Sequence, residues 1–96
     1  MPVPLNVQIY TSGVRASSYE VQSLFGEMQK MLAAISASPP YAFQIRKHAE
    51  LSNMKEVRRL IRQSGLASPF EVSYTPDGIT ILILRPRGSL SVFLKW

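Results

Sequence analysis

The chain begins on a two-residue period. Leu5, Val7 and Ile9 alternate with Asn6, Gln8 and Tyr10, which predicts a half-buried strand. Thr11-Ser12-Gly13 closes that segment and the period changes. Val21, Leu24, Phe25, Met28, Leu32 and Ile35 recur every three or four positions, with Gln22, Ser23, Glu27, Gln29 and Lys30 between them, as on a helix with one apolar face. Ser17 and Glu20 have the spacing of a capping box and set the predicted helix start. Ser38-Pro39-Pro40 sets its end, because a residue before proline avoids helical dihedrals.

Alternation returns over Tyr41–Lys47, where Tyr41, Phe43 and Ile45 face away from Ala42, Gln44 and Arg46; this predicts a second strand with Tyr41 and Phe43 in the core. A polar connection containing His48, expected at the surface, leads to Asn53 and Glu56, a second capping box. It opens a shorter helix from Met54 to about Ser64, with Gly65 as its C-cap. Phe70, Val72 and Tyr74 alternate with Glu71, Ser73 and Thr75. Pro76-Asp77-Gly78 then supplies a turn, with Pro fixing the first corner, Asp bonding the local backbone and Gly taking a positive dihedral. Ile79–Leu84 is apolar on both sides, like a central strand covered above and below. Arg85-Pro86-Arg87-Gly88 is a further turn, and Ser89–Trp96 a last strand.

The order β-α-β-α-β-β-β predicts a single α+β domain over residues 1–96, a mixed five-strand sheet with two helices packed on one face. As topology alone, this order resembles Alba-type chromatin proteins and the C-terminal domain of bacterial translation initiation factor three. No motif residue accompanies the resemblance, so it transfers no site. The two-sided apolar strand, together with the apolar C-terminal Phe93-Leu94-Lys95-Trp96, points to a homodimer formed through the sheet face or the C-terminal strand.

Composition narrows the chemistry. The 96 residues are 46% hydrophobic and 18% charged, too apolar for a disordered segment. There is no Cys and one His, so thiolate metal sites and disulfides are excluded and no metal or other cofactor is expected. A nucleophile or base with an orienting partner cannot be assembled either, so an enzyme is not expected and no catalytic residue is assigned. The N-terminus does not read as a signal peptide, and the longest apolar run is far too short to span a bilayer. These features together predict a soluble, cytoplasmic protein.

Charge supplies the functional expectation. The net charge is +5, concentrated in residues 45–65, where six Lys and Arg face two Glu. Lys55, Arg58, Arg59 and Arg62 share one face of the predicted second helix, opposite Met54, Val57, Leu60 and Ile61. Arg46 and Lys47 lie just upstream, and Arg85 and Arg87 flank Pro86 in a turn. Such a cluster suits phosphate groups, and the chain is expected to be a small non-catalytic nucleic-acid-binding protein, RNA favoured over DNA. Lys55, Arg58, Arg59 and Arg62 would make its main contacts, and Arg46, Lys47, Arg85 and Arg87 secondary ones. The alternative is a homodimeric assembly module, such as a small viral or accessory protein, gripping an acidic protein partner with the same helix.

Overall fold

Helix precedes sheet along this chain rather than alternating with it. The computed structural model describes residues 5–96, with side chains from residue 11 onward. Three helices, α1 (Leu5–Ala37), α2 (Pro39–Glu50) and α3 (Met54–Gln63), are followed by strands β1 (Phe70–Thr75), β2 (Gly78–Arg85) and β3 (Gly88–Lys95). The sheet is three-stranded and antiparallel in the order β1-β2-β3. This overturns the five-strand mixed sheet with two helices, although the α+β class is compatible with it. Leu5–Tyr10 and Tyr41–Lys47, both expected as strands, are helical. The topological resemblance falls with them.

Each error has a local cause. Ser38-Pro39-Pro40 does stop α1, but it also starts α2. The Ser38 side chain accepts from the Tyr41 N–H at 3.3 Å, and the two prolines occupy the first positions, where no backbone donor is needed. Tyr41, Ile45 and Ala49 then fall at helical spacing on the buried side, and the Tyr41 hydroxyl donates to the Leu60 carbonyl. Phe43, expected in the core, is 61% exposed. In α1 the expected cap at Ser17 lies inside the helix. Its hydroxyl donates one turn back to the Gly13 carbonyl at 2.9 Å, while the Glu20 carboxylate accepts from the Arg87 N–H at 3.2 Å. At 33 residues α1 is about 50 Å long. Its N-terminal part runs past the β2–β3 turn, leaving Val14 and Tyr19 exposed.

From Met54 on the structure follows the pattern. Asn53 caps α3, its side chain accepting from the Glu56 N–H at 3.3 Å, and Val57, Leu60 and Ile61 are buried. Gly65 adopts the left-handed φ of 102° that ends the helix. Both hairpins have two-residue loops, with Thr75 opposite Gly78 and Arg85 opposite Gly88. In the first, the Thr75 hydroxyl accepts from the Asp77 N–H at 3.2 Å, and the positive dihedral expected at Gly78 is absent. Gly78 is needed for another reason: a Cβ there would meet the Leu94 carbonyl oxygen and the Phe93 ring.

One sheet face is covered. Rungs Phe70–Ile83–Leu90, Val72–Ile81–Val92 and Tyr74–Ile79–Leu94 point toward the helices, and Ile79, Ile81 and Ile83 are at most 2% exposed. They pack with Leu24, Met28 and Met31 of α1, Ile45 of α2 and Ile61 of α3. Leu82 and Leu84 are half-buried and Phe93 is exposed on the opposite face. The expectation of cover on both sides of β2 is not met by the chain itself. The Trp96 N–H donates to the Asp77 carbonyl at 3.2 Å. With the register, that bond sets the phase of the ladder: Leu90, Val92 and Leu94 bond toward β2, and Ser89, Ser91, Phe93 and Lys95 direct their backbone groups outward.

Candidate functional site

The predicted basic face exists as geometry, since Lys55, Arg58, Arg59 and Arg62 all stand exposed on α3. What each cation does differs. Arg58 and Arg62 lie over the Phe70 ring, with guanidinium carbons 5.1 and 4.5 Å from its centroid. Arg58 also donates to the Phe70 carbonyl at 3.4 Å, and Arg62 to the carbonyls of Leu66 and Ser68 at 2.9 and 3.3 Å. Arg59 pairs with Glu56 one turn back, and that hydrogen bond holds the Glu56 carboxyl below its usual range. Lys55 extends from the same face.

The other predicted residues do not converge on this face. Arg46, on α2, pairs with Glu50 at 3.0 Å and lines a cleft with Tyr74, Pro76 and Trp96. That is the far end of β1 from Phe70, about 17 Å along the strand. Lys47 is exposed nearby in sequence on α2, and Arg87 is exposed at the β2–β3 turn. Arg85 turns inward to Glu27 of α1, at 3.2 Å. His48 lies on α2, not in a loop, and its buried Nδ1 has no hydrogen-bond partner among the described residues.

The feature that joins the molecule is the segment Leu66–Phe70, gripped from two sides. Arg58 and Arg62 hold it against α3. Glu27 holds it against α1, accepting from the Ala67 N–H at 3.0 Å, the Ser68 N–H at 2.9 Å and the Ser68 hydroxyl at 2.6 Å. Burial by itself would raise the Glu27 pKa. The Ser68 hydroxyl and N–H, Arg85 and the Ala67 N–H outweigh that effect and bring it down to about 2. Sequence reasoning missed this clasp. Glu27 sits among polar helix positions, and only coordinates bring it to residues forty positions later. Among the described residues no group of three or more Asp, Glu or His could hold a metal, and no helix is long and apolar enough to cross a membrane.

The division of labour on α3 has a measurable consequence. Arg62→Ala removes ring stacking and two backbone acceptors' partner at once and is expected to cost about 1–2 kcal/mol in urea denaturation. Lys55→Ala should stay within about 0.5 kcal/mol of the unaltered chain. Equal losses at the two positions would contradict the assignment.

The sequence model described as YuzC spore coat inner layer protein matches residues 11–92, most of the chain. The chain belongs to that family. A relative described as "Uncharacterized protein YuzC", from Bacillus subtilis (strain 168), is 29% identical over 80 residues. The aligned region covers 83% of this chain and 66% of that protein, just under two thirds of its length. No solved structure matches the chain. Membership of a spore coat family overturns three expectations: the nucleic-acid-binding function with its RNA preference, the viral or accessory origin, and the cytoplasmic location. The physical reason lies in the cations themselves. A basic stripe read from sequence cannot distinguish phosphate contacts from residues that clamp their own chain, and Arg58, Arg62 and Arg85 do the latter.

Proposed function

We propose that this protein is a non-catalytic structural component of the spore coat inner layer, retained there by contacts with other coat proteins. The family match across residues 11–92 carries the reading. The surface supports it: Tyr19, Phe25, Phe43 and Phe93 are each more than half exposed, an apolar display that suits protein contacts.

Fusion of the full chain to a fluorescent protein, expressed in a sporulating Bacillus host, tests the location. The expected result is a signal at the spore periphery, lost when coat proteins are extracted. A signal spread evenly through the cell or spore interior would reject the proposal.

A further inference from the structure

We propose that the outer edge of β3 and the adjoining flank of α1 form a self-association surface, occupied by the same edge of a second copy running antiparallel. The inference deepens the coat-protein reading and takes its biological setting from it. Ser89, Ser91, Phe93 and Lys95 direct their N–H and C=O groups away from β2, and no strand of the described chain pairs with them. A row of such groups at strand spacing is satisfied by another strand. The edge carries neither proline nor acid, and its one charge is Lys95 at the end.

The other sheet edge is guarded. Pro69 stands at the entry to β1, Arg58 occupies the outward carbonyl of Phe70, and Glu71 adds a charge. This asymmetry favours a closed pair through β3 over open-ended addition of copies.

The occupant follows from the pattern of β3 itself. A two-fold axis at Val92 places Leu90 opposite the partner's Leu94, and Val92 opposite the partner's Val92. On the outer face it sets Ser91 against the partner's Phe93 and Ser89 against the partner's Lys95. The four outward-bonding positions then meet in hydrogen-bonding phase, and the two lysines are kept at opposite ends. Leu90, Val92 and Leu94 are half-buried in the single chain and would be covered by their counterparts.

The helix above continues the surface. On one flank of α1, Glu20 and Glu27 reach the β2–β3 turn and the Leu66–Phe70 segment. The opposite flank faces the start of β3, where Val21 lies against Gly88. Val14, Ser18, Val21, Phe25 and Leu32 lie along that flank at steps of four, three, four and seven, an uncharged seam bordering the core, where Met28 is buried. Phe25 on that seam is 61% exposed. The two-fold axis that joins the β3 edges brings the two α1 seams together, antiparallel.

Sedimentation equilibrium and amide hydrogen exchange on the full chain test the proposal. Expected are twice the chain mass of 10.8 kDa at tens of micromolar and slow exchange at the Ser91 and Phe93 amides. Ser91→Pro removes a donor that β2 does not use, so it should yield a monomer with an unchanged circular dichroism spectrum. Phe25→Glu, at an exposed position, should weaken association at least tenfold even if the proline variant misfolds. A monomeric mass with rapid exchange at both amides would overturn the proposal, as would a dimer indifferent to Phe25→Glu and to any folded Ser91→Pro. Slow exchange only after addition of another coat protein would assign the edge to that protein and reject self-pairing. A peripheral fusion signal without a dimer rejects this inference alone; a dimer with a diffuse signal rejects the coat location alone.

Discussion

Glu27→Ala is expected to lower the unfolding free energy by about 3 kcal/mol, and the Tm by roughly 12–20 °C. The carboxylate is 15% exposed and accepts from the Ala67 N–H, the Ser68 N–H, the Ser68 hydroxyl and Arg85. Ser68 is 2% exposed, so its donors cannot all turn to water when the acceptor is removed. Glu27→Gln keeps one oxygen and loses the charge, and should fall about halfway. The same site gives an acid dependence. The folded-state pKa, near 2, lies below the ordinary carboxylate value of about 4.3. Its contribution is therefore complete above the unfolded value and fades as pH falls from about 5 toward 2, by on the order of 2–3 kcal/mol. Denaturation at a series of pH values should show the gap between the unaltered chain and Glu27→Gln closing across that window. A gap independent of pH would show that the charge of Glu27 contributes nothing there.

Gly78→Ala should cost about 2–3 kcal/mol, at a position where glycine is required by proximity rather than by dihedral. Its Cβ would meet the Leu94 carbonyl oxygen, which is backbone and cannot swing aside, and the Phe93 Cζ at 2.7 Å. Relief requires β2 and β3 to separate at the open end of their hairpin, where Gly78 lies opposite Lys95. There the Trp96 indole N–H donates to the Thr75 carbonyl at 2.9 Å and the Trp96 backbone N–H to Asp77 at 3.2 Å. Fluorescence of this single tryptophan should therefore shift to longer wavelength along with the loss of stability. Gly26→Ala is the contrasting case. Nothing lies within 4 Å of the added methyl, and the helix should gain about 0.5–1 kcal/mol. If both alanine variants behaved alike, the close approach at Gly78 would not be real.

The C-terminal half was legible in the sequence because its signals were local and unambiguous. Asn53 with Glu56, Gly65, and two loop sequences between alternating runs fix α3 and all three strands within a residue or so. The N-terminal half defeated the same reasoning where two periods overlap. Tyr41, Phe43 and Ile45 satisfy alternation, while Tyr41, Ile45 and Ala49 satisfy a helix, and only the core decides between them. Over residues 5–10 the short alternation gave no warning that α1 runs straight through, and Ser17 imitated a cap while bonding within the helix. The basic stripe was found where expected, but its employment was not visible. That depended on Phe70 and the Leu66 and Ser68 carbonyls arriving beneath it, a long-range event with no spacing rule. Family membership then overturned what charge patterning had suggested.

The length of α1, 33 residues on a chain of 96, also alters how the protein moves through solvent. The radius of gyration is 17.1 Å, against about 12–13 Å for a compact chain of this length. Friction grows with extension, so a lone molecule will leave a sizing column early and imitate something heavier. Elution volume would thus report a pair where there is one, and stoichiometry has to come from techniques that weigh particles irrespective of their outline.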